Sequence, residues 1–449
     1  MTENNYGSPW DVIIIGAGAA GLTASIYLAK AGKNVLLLEK GSYPGGRAIS
    51  TEMAGARVNL GGHALFRNAF RILHEVGVTV EGTAPKPPGL LMFKEADGKE
   101  RAVPLTQLLL GSFLSFQEKI QLVRFYSSLR KTDTSALQHV PLRAYLESQL
   151  SSPRVRSVLE ALVRLSTYCE APDLLSAGAA IHQLQHGQVL YIDGGWQTLV
   201  NKLVEQAKKA GVSIRPSSPV LEIKGSYPKM SLVLKDGTQL ASSFIISTAG
   251  PADTMSLLNP ALPPDEAAIY QQLIPVHAAC LDLVVSGMPR PKTKFVLGAD
   301  VPWYYSNHSA VAALSDQPGT EVIHVMKYLP ALNKKDPKQD ERELQGFLDS
   351  IQPGWREHVI KQRFLPSMLV SHSMVMAANG GLPNRPGPEV KGRPGLYVSG
   401  DWVGSEGLLL NASLASAKEA ATLITNYPKV IKDVKRGVQR GAGLCIQGI

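Results

Sequence analysis

The chain has 449 residues, 44% hydrophobic and 18% charged, with a formal net charge of +9 at pH 7. This composition excludes a disordered chain, and the length leads us to expect two domains, interwoven because no low-complexity linker separates them. Cys169, Cys280 and Cys445 stand far apart with no CxxC pair or Cys/His run, so neither a metal site nor a redox disulfide is expected, and the thiols suit a reducing cytoplasm.

Trp10 to Ile15 reads as a buried strand rich in β-branched residues, Ala19 to Ala31 as a helix ended by Gly32, and Asn34 to Leu38 as a second strand. Val12 to Ala31 is largely apolar but is not a secretion signal. It lacks a basic leader, has Glu3 and Asp11 in front, and is broken by Gly16, Gly18 and Gly21. No other window approaches the ~20 uninterrupted apolar residues of a membrane span, so a soluble, cytoplasmic protein is expected.

Leu108 to Leu129 carries apolar residues at three- and four-residue spacings and predicts a helix, as do Pro141–Leu150, Pro153–Leu165 and Ser176–Gln185. A helix at Gln197–Ala210 leads to strands at Val212–Ile214, Val220–Lys224, Ser231–Leu234 and Ser243–Ser247. Strand-like runs recur at His277–Val285, Lys294–Leu297 and Glu321–Tyr328, and Asp340–Ile351 is a charged amphipathic helix. Gly395–Ser399 is a last buried strand, followed by the helix Leu410–Ile424. Part of the positive excess lies between Lys429 and Arg440. We read the rest as dispersed surface charge, with no nucleic-acid partner.

Gly16-Ala17-Gly18-Ala19-Ala20-Gly21 is a G-x-G-x-x-G placed between a strand and a helix. Gly16 permits the tight turn, Gly18 lets a pyrophosphate approach the backbone, and Gly21 lets the helix pack on the strand. The helix N-terminus then offers free N–H groups to the phosphates. Glu39 ends the second strand, where a carboxylate accepts from ribose hydroxyls. The fold class expected is α/β, a Rossmann-like dinucleotide-binding unit with an interleaved α+β domain.

Four further segments give this unit a family. Gly45-Gly46-Arg47 follows the acid. Val58-Asn59-Leu60-Gly61-Gly62-His63-Ala64-Leu65 and Asp193-Gly194-Gly195 come next, and Leu396-Tyr397-Val398-Ser399-Gly400-Asp401 closes the chain's last strand. Together they resemble the FAD-dependent amine oxidoreductase superfamily, and within it the phytoene-desaturase-like enzymes. The resemblance implies p-hydroxybenzoate-hydroxylase-like topology. Residues 1–80, 190–275 and 365–425 would form a discontinuous FAD-binding domain, 81–189 and 276–364 a substrate domain, and 426–449 a basic tail. It implies non-covalent FAD held by Gly16, Gly18, Ala19, Ala20, Gly21, Glu39, Lys40, Gly46, Arg47, Gly62, His63, Val220, Gly400, Asp401, Leu409 and Leu410. Arg47 would lie along the cofactor with its charge offered to phosphate, and the backbone at Pro219-Val220 against the adenine. The last helix would point its N-terminus at the flavin.

Flavin chemistry needs no recognisable triad, and no catalytic acid or base is named. The leading reading is desaturation, dehydrogenation or isomerisation of an apolar substrate, of which a polyene or terpenoid is one class, and the sequence leaves the electron acceptor, oxygen or a quinone, open. Leu109, Leu110, Phe113, Leu114 and Phe116 would then line or rim the entrance, with Lys119 and Arg124 toward lipid headgroups in peripheral membrane contact. The alternative is an amine or amino-acid oxidase. The lysine common in that branch is missing, and His277 stands nearest its place. Lys327 would have to substitute for it, with Trp303-Tyr304-Tyr305 flanking the flavin. A third reading is a flavoprotein with structural or sensory FAD.

Overall fold

The computed structural model describes residues 10–85, 89–95, 100–332 and 336–428. Glu3, Cys445 and the basic run from Lys429 lie outside the described residues.

The fold grows from β1 (Trp10–Ile15), α1 (Ala19–Lys30) and β2 (Val35–Leu38). Both strands are apolar along nearly their whole length because both faces of the sheet are covered, as parallel sheets require. β1 lies between β2 and the strand Gln239–Ser247, parallel to both. Ser213–Arg215 extends the sheet beyond β2, again parallel. The strand Gln239–Ser247 divides its length between two neighbours. Its first half pairs antiparallel with Lys229–Leu234, and Ile245–Ser247 pairs parallel with Leu396–Val398. Val220–Ser226 completes a seven-stranded sheet. α1 packs between the helices Trp196–Lys209 and Leu409–Thr425 on one face.

A second seven-stranded sheet runs in the order Val359–Ser371, Val276–Val285, Glu321–Tyr328, Trp303–Asn307, Phe295–Gly298, Leu90–Lys94, Glu100–Pro104. Apart from the parallel pair Phe295–Gly298 and Leu90–Lys94, neighbouring strands are antiparallel. The helix Pro337–Ile351 covers one face through Leu344, Phe347 and Leu348. The helical layer from Leu105 to Gln185 covers the other.

Two sequence expectations change. The single helix over Leu108–Leu129 is two helices, Leu105–Leu110 and Phe116–Leu129, because Ser115 starts a new one. Its hydroxyl accepts from the Glu118 N–H, and the Glu118 carboxylate accepts from the Ser115 N–H, a capping box that satisfies two otherwise orphaned donors. The thirteen-residue strand Val359–Ser371 is additional. Pro366 is tolerated there because the strand is an edge and its register shifts at that point. The strand also passes residue 365 without a break.

No helix among the described residues is long and apolar enough to cross a membrane. Gly21 is the tightest contact of the first unit, since a Cβ there would stand 2.0 Å from the Gly16 carbonyl oxygen. Gly21→Ala should therefore push α1 off the loop and destabilise the chain by about 1–3 kcal/mol in urea titration.

Candidate functional site

A cavity of ≈ 680 Å³ opens at the carboxyl ends of the parallel strands, bounded by Ile15, Gly16, Leu38, Glu39, Thr248, Gly400 and Asp401. This is where open α/β sheets place their ligands. The three motif glycines answer different demands. Gly16 has φ +96°, and a Cβ on it would meet the Thr248 hydroxyl at 2.5 Å, so both backbone and packing require glycine. Gly21 is required by packing alone. Gly18 has an ordinary φ of −74°, and a Cβ there would find no protein atom nearer than 4.0 Å. The protein's own packing makes no use of glycine at that position. The space a side chain would take is the cavity itself, at the N-terminus of α1, which has no side-chain cap. The cradle fits a pyrophosphate.

Glu39 is buried at the wall of the cavity. Its Oε2 accepts from the Ala17 N–H at 2.9 Å and Oε1 from the Gly41 N–H at 2.7 Å. The carboxylate thus closes the glycine loop onto β2, while each oxygen keeps capacity for a further donor such as a ribose hydroxyl. Lys40, Ser218, Pro219 and Val220 line the same end.

Arg47 differs from expectation. It lines the cavity, but its guanidinium is committed to protein rather than left for phosphate. It donates bidentately to Asp401 at 2.8 and 3.0 Å and to the Val370 carbonyl at 2.8 Å. Asp401 also accepts from the His372 N–H at 3.1 Å, and His372 Nδ1 lies 3.0 Å from both the carboxylate and Arg47. Burial opposes ionisation of Asp401, yet the Arg47 charge and the hydrogen bonds from His372 and Arg47 outweigh it and hold its pKa far below the usual carboxylate range.

At the far end, the helix Leu409–Thr425 presents an uncapped N-terminus, and Leu409 and Leu410 line the cavity. Leu409 has φ +55°, a conformation that side chains avoid, and such strain persists where surrounding structure imposes it. Arg385 supplies that structure, donating to the carbonyls of Asp401, Glu406 and Gly407, and burial pushes its pKa down to about 10.

The other expected residues fall as follows. Ala19, Ala20, Gly46, Gly62, His63 and Gly400 line the cavity, whereas Gly21 lies behind it. His63 is buried, with both ring nitrogens lacking a hydrogen-bond partner, and burial followed by the neighbouring His324 and His308 pushes its pKa well down. His277 is on the strand beside Leu369, which lines the cavity, but is not itself in the wall. Lys327 does not reach the site. It is tied to Asp340 and Glu343 on the helix Pro337–Ile351, at 2.8 and 2.6 Å. Trp303 and Tyr305 point to that same side and Tyr304 to the opposite one, because side chains alternate along a strand, and none of the three lines the cavity. The Leu109–Phe116 set also lies outside the cavity wall. Leu109, Leu110 and Phe116 are exposed and Leu114 is buried. Phe113 packs on Phe93 with the guanidinium groups of Arg101 and Arg154 over its ring. Sequence reasoning missed Tyr168, Trp196, Thr248 and His372 in the wall, and Arg385 behind it. None of them sits in a motif.

The family profile described as flavin containing amine oxidoreductase matches residues 19–425. Among curated proteins, the chain is 28% identical over 291 residues to a phytoene desaturase of Fusarium fujikuroi, covering 56% of this chain and 50% of that protein. It is 29% identical over 295 residues to (S)-6-hydroxynicotine oxidase of Paenarthrobacter nicotinovorans, covering 59% and 65%. The chain thus spans about half to two thirds of the length of these relatives. Among solved structures, an oxidoreductase from Methanosarcina mazei superposes with a TM-score of 0.74 at 20% identity, over 92% of this chain and 99% of the other, a likeness of fold.

Two predictions follow from this geometry. Gly18→Val should leave the fold intact and abolish flavin retention, while Glu39→Ala should weaken flavin binding by about 1.5–3 kcal/mol and also leave the Ala17 N–H unpaired. Flavin absorbance after dialysis reads both. Asp401→Asn should destabilise the protein by about 1–2 kcal/mol near neutrality, since it unpairs the Arg47 charge, which at 37% exposure is partly screened by solvent. Because the folded pKa of Asp401 is depressed, its contribution is complete above the unfolded value of about 4 and fades as pH falls below it. Urea unfolding of wild type and variant should show a constant gap from about pH 8 to 5 that narrows only in stronger acid.

Proposed function

The chain belongs to the flavin-containing amine oxidoreductase family, and from that membership we propose that it is an FAD-dependent oxidoreductase that desaturates, dehydrogenates or isomerises an apolar small molecule. The observation that carries the apolar reading is the state of the carboxylates in the cavity wall, Glu39, Asp253 and Asp401. Glu39 holds the glycine loop, Asp401 is saturated by Arg47 and His372, and Asp253 stands on the helix Pro251–Ser256, which leads into the Leu257 carbonyl bonded to Ile223 of the strand starting at Val220. Neither Glu39 nor Asp401 is left as a free counter-charge for an ammonium group, and the cavity wall carries the apolar groups of Phe66, Tyr168, Leu369, Val370, Leu409 and Leu410. The likeness to phytoene desaturase supports the same reading.

FAD, when bound, supplies the two-electron chemistry. The chain's own residues divide the remaining work. The uncapped N-terminus of α1 and the Gly18 gap receive the pyrophosphate, and Glu39, Lys40 and Val220 receive the nucleoside. The uncapped N-terminus at Leu409 and Leu410 offers N–H groups to developing negative charge. Arg47 and Asp401, fixed on each other, orient the wall between these ends. The apolar side chains at the Leu409 end exclude water from the substrate. We place the described residues among 10–80, 190–275 and 372–425 in the FAD-binding domain and those among 81–189 and 276–371 in the substrate domain, since Val359–Ser371 is one strand of the second sheet. No cysteine lines the cavity among the described residues, which supports non-covalent FAD.

Leu110 and Phe116 are 87% and 78% exposed, and between them in the chain the guanidinium groups of Arg101 and Arg154 lie over Phe113 while Lys119 donates to the Gly111 carbonyl. An apolar patch in a basic surround holds to anionic lipid, each basic residue adding about 1 kcal/mol, and suits collection of a hydrocarbon from a bilayer. The protein should co-sediment with anionic vesicles at low salt, and Phe116→Asp with Leu110→Asp should weaken this without changing flavin content. Anaerobic addition of a polyene in those vesicles should bleach the flavin absorbance. Absence of lipid binding, together with bleaching and peroxide formation by a soluble amine, would overturn this reading in favour of amine oxidation.

A further inference from the structure

At the wall of the flavin cavity, which His63 itself lines, polar side chains from different parts of the chain converge in a buried group. His63 follows the strand Ala56–Asn59, Cys280 and Asp282 lie on Val276–Val285, and His324 lies on Glu321–Tyr328. One ligating atom from each lies within 4.8 Å of the other three. The His63 and His324 rings are 4.2 Å apart. His308 closes one side, its ring 4.5 Å from His324 and stacked on Tyr191.

Three nitrogens of this group, both of His63 and Nε2 of His324, are buried without a hydrogen-bond partner. A buried polar atom left unpaired opposes folding unless something other than protein satisfies it. The hydrogen bonds that do exist prepare lone pairs. Asp282 Oδ1 accepts from His324 Nδ1 at 2.7 Å, which places the proton on Nδ1 and leaves Nε2 as a bare donor atom. Arg363 grips Asp282 Oδ2 at 3.0 Å through Nε and again through its terminal nitrogen. The carboxylate is therefore neutralised and held as an orienting group. Cys280 Sγ lies 3.0 Å from the same Oδ1. An imidazole aligned by a carboxylate is the usual support of a metal ligand.

We propose that His63, Cys280 and His324, oriented by Asp282, form a binding site for a divalent transition-metal ion of the zinc class. Two imidazole nitrogens and a thiolate select zinc or cobalt over magnesium or calcium, which require oxygen donors. Three protein ligands leave a fourth position for water. Binding releases the Cys280 thiol proton to solvent and keeps both imidazoles neutral. The site does not depend on the flavin reading, and flavin content serves as an independent check of the fold.

The test uses untagged, flavin-loaded protein expressed with added zinc and analysed by elemental mass spectrometry after gel filtration. About one zinc per chain is expected, with X-ray absorption showing a metal–sulfur distance of about 2.3 Å. Cobalt(II) added alone to chelator-treated protein should give ligand-field bands to the red of the flavin absorption. Cys280→Ser should lose the metal–sulfur signal, and His324→Gln should lower metal affinity at least about tenfold, both with flavin retained. Zinc should raise the Tm of wild type and not of the variants. Wild-type protein with native flavin content that holds no zinc above background and develops no cobalt bands would overturn the proposal, whatever the variants do.

Discussion

The bidentate pair between Arg47 and Asp401 joins residues 354 positions apart and is the contact on which the cavity depends. Arg47 comes from the segment after β2, and Asp401 from the step after the last strand of the first sheet. Val370 and His372, which complete the network, come from the end of the edge strand of the second sheet. Three segments from both sheets are thus clamped at one point. A buried ion pair earns little stability compared with an apolar replacement, but removing one partner leaves an uncompensated charge. The pair therefore acts as a constraint on geometry more than as a source of cohesion.

Backbone does much of what side chains do in other binding sites. Two helices end at the cavity without side-chain caps, α1 at Gly18 and the last helix at Leu409, so both turn unpaired N–H groups toward the space between them. The donors at Leu409 stay in place because Arg385 ties down the loop before the helix. Even Glu39, the one acid of the motif, is held by backbone N–H groups on both oxygens. A site whose groups are fixed by contacts within the protein lowers the ordering cost of binding.

Legibility in the sequence followed the range of the interaction. β1, α1 and β2 were readable because turn, helix start and buried strands are encoded by neighbours. The capping box at Ser115 and Glu118 was equally local and marks the break in the helical segment. The strand Val359–Ser371 was hidden by Lys361, Gln362, Arg363 and Pro366, which only an edge position with a register shift allows. Gly400-Asp401 could be placed by resemblance, but not its union with Arg47, since no spacing encodes a partner in another segment. Lys327 looked free in the sequence and is occupied by a helix that follows it. The buried cluster at His63 was invisible for the same reason. Its members are isolated in sequence, and the second sheet is what brings them together.

The place of β1 in its sheet bears on how the chain is made. β1 pairs at once with β2, but its other edge stays open until Ser242–Ser247 has been synthesised. At cellular elongation rates that interval is on the order of 10 to 50 s. The strand Leu396–Val398 then docks on Gln239–Ser247 rather than on β1 itself. During that time an apolar parallel edge, from Val12 to Ile15, is exposed on the nascent chain and open to mispairing. Slow long-range closure of this kind lengthens the time for which the newborn chain is open to aggregation.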